Sequence, residues 1–175
     1  MAGVSSTTPN IGLTKFSRGH SVLDTDLGLN MDIIDTQIAA LLAVNAGAVK
    51  VAKGDLTAGI ADAIAFAWQN PESTAIHVLQ VVVDVTTVGG TATAVMDVDV
   101  VANATATGDT ILDGVDLNAD AVYSSLSAGV SGTNATENVH RCDANGGTND
   151  HITGKILVET AANMVGKYYI YYVVV

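Results

Sequence analysis

Cysteine, positive charge and aromatic rings are all scarce in this sequence. Cys142 is the single cysteine in 175 residues, which excludes an intrachain disulfide and any cysteine-built zinc site. Seven Lys and Arg stand against 18 Asp and Glu, a formal charge of -11. Such a surface repels phosphate backbones, so no nucleic-acid partner is expected, and it favours solubility. Aromatics make up 5% of the chain and Trp68 is the one tryptophan, so the sugar platforms of a glycoside hydrolase cleft are missing. Apolar runs such as Val81–Val83 and Tyr168–Val175 are far shorter than the roughly 20 residues of a membrane helix, and no membrane partner is expected. The N-terminus has neither a charged n-region nor an apolar h-region, so no secretory signal is expected.

What the chain has in quantity is Ala, Val, Gly, Thr, Asp and Asn, a composition that favours strands joined by small-residue turns. An abrupt change of period near Asn45–Lys53 divides it. Residues 1–23 form an arm whose first ten residues are too small and polar to order by themselves. Residues 24–45 read as a helix, with Asp24 or Thr25 as its cap. Leu27, Met31, Ile34, Ile38 and Leu41 follow at spacings of four, three, four and three, the a/d seam of a coiled coil. That seam has two ways to be buried: against the β body, or against copies of itself around a symmetry axis.

Residues 46–175 read as an antiparallel β-sandwich or barrel. Ile64, Phe66 and Trp68 alternate with Ala65 and Ala67, and residues 69–73 form a turn. Ile76–Thr87 is β-branched and apolar on both faces for much of its length, as a central strand would be. Val88–Thr91 reads as a hairpin connection. Residues 93–102 put Met96, Val98 and Val100 on one face and Asp97 and Asp99 on a wet one. Residues 103–120 are polar, 115–126 suit either a short strand or a helical turn, and 127–150 read as exposed loops. Ile152–Glu159 and Lys167–Val175 are the last strands, and in the second of them Tyr169 and Tyr171 suit a subunit contact.

No residue set announces chemistry, and no enzyme is expected. His20, His77, His140 and His151 lack a metal-ligand spacing. His140 and His151 flank Cys142, but nothing fixes a third group for a nucleophile. Asp97, Asp99, Asp109, Asp113 and Asp116 form the densest acidic region and read as a solvated face. No cofactor is expected; calcium would be the ion to suit those carboxylates if one bound. Loops 103–120 and 131–150 are where a carbohydrate-binding module would hold sugar.

Two segments carry a family resemblance. Asn10–Lys15 (NIGLTK) and Asp24–Asp35 (DTDLGLNMDIID) resemble a segment near the N-terminus of bacteriophage tail-fibre and other virion proteins, departing at Phe16, where Pro is usual, and at Met31, where Thr or Asn is usual. The body, from Phe66-Ala-Trp-Gln-Asn-Pro71 through Asp84-Val-Thr-Thr87 to the Tyr-rich end, looks like phage head-decoration or head-fibre proteins. The resemblance implies a jelly-roll-like body assembling as a homotrimer on a virion built in the host cytoplasm. It implies an arm with Ile11, Leu13, Lys15 and Phe16 docked on the major capsid protein or another virion protein. A trimer would gather through Leu27, Met31, Ile34, Ile38 and Leu41, with Tyr169 and Tyr171 between the bodies. The expected function is capsid decoration; the alternatives are a tail-fibre, baseplate or adaptor role in host attachment, and a carbohydrate-binding module.

Overall fold

A computed structural model describes residues 6–7, 14–15, 32–39, 47–89, 93–127, 132 and 139–175. The chain divides into two compact units, Met1–Gly47 and Ala48–Val175. In the first, β1 (Ser6–Thr7) pairs antiparallel with β2 (Thr14–Lys15), and helix α1 covers residues 32–39. Within α1, Thr36 donates its hydroxyl back to the Asp32 carbonyl (2.8 Å). Ile34 is half-buried and Ile38 is 51% exposed. Leu27, Met31 and Leu41 of the seam lie outside the described residues, as do Ile11, Leu13 and Phe16 of the arm; Lys15 lies in β2.

The second unit contains β3 (Lys50–Asp55), β4 (Ile64–Gln69), β5 (Ile76–Thr87), β6 (Val95–Val101), β7 (Leu112–Asp116), β8 (Ala121–Ser124), β9 (His140–Cys142), β10 (His151–Val158) and β11 (Val165–Val174). Its topology is that of one long antiparallel ribbon rolled up. Along the ribbon β3 pairs with β11, β4 with β10, β5 with β8, and β6 with β7. Rolling it sets β11 against β5 and β10 against β6. The results are a sheet β4-β10-β6-β7 and a sheet β3-β11-β5-β8, with β9 extending the second along the same edge of β5 as β8. This is the strand order of a jelly roll, and the expected antiparallel β-sandwich is present.

Each strand shows why it forms. In β5, Ile76, Val78, Val81, Val83 and Val85 are fully buried, and a bulge opposite Tyr171/Tyr172 shifts the inward phase between Val78 and Val81. Partners on both edges make β5 the central strand expected. In β6, Met96 and Val98 fill the core, while Asp97 and Asp99 turn outward as expected. That outer face is not wet along its length: Asp97 is only 8% exposed, because its carboxylate accepts the Gly114 N–H (2.8 Å) from a bulge in β7. Burial raises the Asp97 pKa, against that backbone bond and with help from the charges of Asp113 and Asp109.

Three expectations need correction. The turn after β5 does not make a hairpin, since β5 and β6 belong to different sheets. Both edges of β5 are already taken, by β11 on one side and by β8 and β9 on the other. The polar stretch 103–120 contains a strand, β7, whose inward residues Leu112 and Val115 are three apart because Gly114 (φ 72°) interrupts the alternation. Within 127–150 the short strand β9 pairs with the start of β5. For 115–126 the strand, β8, is the form adopted.

Two aromatic rings bridge the sheets. Phe66 of β4 stacks on Tyr168 of β11 with ring centroids 4.2 Å apart and planes 15° from parallel. Each ring lies over a glycine on the adjacent strand: Gly154 faces Phe66 and Gly54 faces Tyr168 in the strand registers. A Cβ on Gly154 would come within 2.3 Å of the Phe66 ring, and one on Gly54 within 2.6 Å of Tyr168. Trp68 packs beside Tyr172 (centroids 5.3 Å apart), whose hydroxyl reaches Glu72 Oε1 at 3.2 Å. Four of the eight aromatics of the chain thus join the two layers.

Candidate interaction surfaces

Alternation along β11 decides where its tyrosines go. Tyr168, Ile170 and Tyr172 are buried, so Tyr169 and Tyr171 stand on the outer face of their sheet, half-buried. Lys53 of β3 and Val82 of β5 flank Tyr169; Val51 and Gln80 flank Tyr171. Lys167 sits between Asp55 and Asp84 in the next row and binds Asp55 at 2.6 Å. This exposed pair lowers the Asp55 pKa and raises that of Lys167, in each case chiefly through their mutual hydrogen bond. A shallow depression of about 300 Å³ is lined by Lys53, Gly54, Asp55, Lys167 and Tyr169. Half-buried Tyr and Val interleaved with charges of both signs make a face able to meet another protein surface.

A second feature lies at one end of the sandwich, where the β4–β5 turn meets the 143–150 loop. Asn70 is fully buried and fully used. Its Nδ2 donates to the carbonyls of Thr74 (3.1 Å) and Asp143 (2.7 Å), its Oδ1 accepts the Glu72 N–H (3.0 Å), and its own N–H reaches the Asp150 carbonyl (2.8 Å). Glu72 in turn accepts from Lys50 at 2.7 Å. Asp150, 2% exposed, accepts from Gln69 Nε2 (2.7 Å) and Gly146 N–H (2.8 Å), and lies 2.6 Å from His151 Nδ1. The Gln69 bond first, then that from Gly146, hold the Asp150 carboxyl down at about 2 against the cost of burial, with His151 adding to the effect. Cys142 lies in the core beside this loop, and burial, followed by the charges of Asp150 and Asp143, pushes its thiol up to about 12. At neutral pH it stays a thiol and a poor nucleophile.

The Asp150 shift gives a pH prediction with a definite sign. A carboxyl that is more acidic folded than unfolded stabilises the fold above its unfolded value and loses that contribution as protons bind. The Asp150 pKa drops from 3.8 to about 2, so the stability advantage of wild type over Asp150→Asn is expected in full only above about pH 5. It should shrink as pH falls toward 2, read from thermal melts of both proteins across that range. A gap that stays constant with pH would remove the carboxylate from this role.

The two polar loops meet. Asp99, Val100 and Thr110 on one side, and His140, Arg141 and Asn149 on the other, line a concavity of about 250 Å³. Thr110 donates its hydroxyl to Asp99 Oδ1, which also accepts the Val100 N–H (2.7 Å). Arg141 is loosely paired with Asp143 at 3.6 Å, and its side chain is 67% exposed. Of the acidic stretch, Asp97 binds Gly114, Asp99 binds Thr110 and Val100, and Asp116 binds the Asn118 N–H. Among the described residues no three His, Cys, Asp or Glu side chains gather as a metal site, so none can be assigned to calcium. No described helix is long and apolar enough to cross a membrane.

The outward Tyr169 and Tyr171 follow from the alternation of β11; Ile34 and Ile38 belong to the first unit, Tyr169 and Tyr171 to the second. The Asn70–Asp150 network and the loop concavity were not visible, because each joins residues far apart in the chain. Gln-Asn-Pro-Glu at 69–72 signalled only a turn. No family model, curated protein or solved structure matches the chain.

Proposed function

We propose that this chain is a structural protein of a bacteriophage particle, a decoration (cement) protein that binds the head as a homotrimer and stabilises it. The observation that carries the reading is the exposure of Ile38, 51%, on a helix belonging to a compact unit of its own. An apolar heptad position left in solvent invites burial by its own copies. The virion-like segments Asn10–Lys15 and Asp24–Asp35 and the jelly-roll body support the same assignment. In this scheme Leu27, Met31, Ile34, Ile38 and Leu41 gather three copies, Tyr169 and Tyr171 pack between bodies, and the arm with Ile11, Leu13, Lys15 and Phe16 docks on the major capsid protein. Two to three heptads are marginal alone, so body contacts must contribute. Repeated weak contacts around a symmetry axis then add to a firm attachment.

Ile34→Asp/Ile38→Asp is expected to convert the trimer to a monomer in light scattering while the β circular dichroism signal persists. An oligomer unaffected by both charges would sink the seam. Copy number separates the head from the tail: densitometry of purified particles should find this chain in hundreds of copies if it decorates the capsid. A handful would instead favour the tail-fibre, baseplate or adaptor role to which the Asn10–Lys15 segment also points.

A further inference from the structure

We infer that the concavity between the 99–110 segment and the β9–β10 region binds a neutral saccharide through adjacent hydroxyl groups. The inference stands on the geometry of the body and does not require the virion assignment. Donors and acceptors alternate around the rim. Arg141 presents a planar fork of N–H groups, and the Asn149 side-chain amide offers a donor and an acceptor, its backbone N–H and carbonyl being already bound to Asp143. Asp99 lines the opposite side; its Oδ1 accepts from Thr110 and Val100, and its Oδ2 fills the space a Gly108 side chain would take, so what it brings to the rim is its negative charge. A vicinal diol, in which every oxygen both donates and accepts, matches such a mixed rim better than a ligand that only accepts.

Other ligand classes fit less well. An apolar ligand would find only Val100 among six lining residues. A metal ion lacks the ligand set. An anion would gain Arg141 but meet Asp99 beside it, with Asp143 already paired to that arginine, on a chain of formal charge -11. At about 250 Å³ the space is just below the usual range for small-molecule cavities and suits one sugar ring. With no aromatic platform and an open mouth, the affinity of one site is expected to be on the order of millimolar. Several copies displayed together would turn that into useful adhesion.

The test uses the full chain with D-galactose, D-glucose, D-mannose and D-glucuronate, followed by saturation-transfer and amide-shift NMR. At least one neutral sugar should give saturable shifts on residues 99–110 and 140–149, with a millimolar Kd. Arg141→Ala and Asn149→Ala should each weaken it at least tenfold, while Lys53→Ala, in the other depression, leaves it unchanged. Thermal melts matching wild type confirm that the variants fold. No saturable shift up to about 50 mM of any sugar would overturn the proposal, as would binding indifferent to Arg141 and Asn149. Glucuronate binding more tightly than the neutral sugars would overturn the neutral assignment and make this an anion site. Light scattering on the same samples reports the trimer separately, so failure here and failure of the virion reading are distinguishable.

Discussion

Phe66→Ala is expected to destabilise the β body by about 3–5 kcal/mol, the usual cost of removing a well-packed aromatic side chain. That is a large share of the roughly 5–15 kcal/mol that keeps an ordinary domain folded. The reason for placing it at the upper end is geometric. Phe66 is 5% exposed and contacts both sheets: it stacks on Tyr168 at 4.2 Å and covers Gly154 on its neighbouring strand. With the ring gone, Gly154 beneath it offers no side chain to fill the void, so relaxation recovers little. Urea unfolding measures this as a lower midpoint at unchanged slope. A loss below about 1 kcal/mol would show that the rings do not join the layers.

The same arrangement makes Gly154 and Phe66 energetically coupled. In the wild type a methyl at 154 would sit 2.3 Å from the Phe66 ring and 2.9 Å from Met96 Sδ. Gly154→Ala alone should therefore cost about 1–3 kcal/mol through overpacking. In a Phe66→Ala background the ring clash is gone, Met96 is flexible enough to move, and the added methyl occupies part of the cavity. The double variant should be more stable than the sum of the two single losses by about 1 kcal/mol or more.

How much of this was legible in the sequence follows the range of the interaction concerned. Strand β5 was readable nearly to the residue, because β-branched side chains and flanking turns are local signals. The inward Met96 and Val98 of β6 were equally plain, but the burial of Asp97 was not, and in β4 a bulge opposite Gly154/Lys155 leaves Ala65 buried along with Phe66 instead of alternating with it. Strand β3 was not legible, since its less exposed positions are Lys50, Ala52 and Gly54, the last kept small so that Tyr168 can lie over it. β7 was hidden by the bulge at Gly114. Residues 88–91 look like a hairpin connection by themselves; only the occupancy of both edges of β5 by β11, β8 and β9 excludes it. Pairings such as Lys167 with Asp55, 112 residues apart, leave no local trace. For the same reason the loop concavity was foreseeable only as two polar loops, and what brought them together was the roll of the ribbon.

Asn70→Ala is the second large expected loss, about 2–4 kcal/mol, and its mechanism differs from that of Phe66. Little apolar contact is removed. Instead the carbonyls of Thr74 and Asp143 and the N–H of Glu72 lose their partner in a place where Asn70 itself has no solvent exposure. Buried polar groups left without a partner each cost roughly 1–3 kcal/mol, unless water enters to replace the amide. Asn70→Asp should be no better, since it keeps an acceptor for Glu72 but turns a carboxylate oxygen toward two carbonyls. Gln69→Ala, at an exposed neighbouring position, should cost less because its partner Asp150 keeps the Gly146 and His151 contacts. The damage from Asn70→Ala should also be local before it is global. The 143–150 loop hangs from Asn70 at Asp143 and at Asp150, and it carries Asn149 on the rim of the concavity. Amide exchange in that loop should accelerate first, with β5 and β11 still protected. Sugar binding should weaken in the same variant although Asn70 does not line the concavity. Exchange that accelerates evenly across the body would mean that Asn70 supports the whole sandwich and that the loop has no separate anchor.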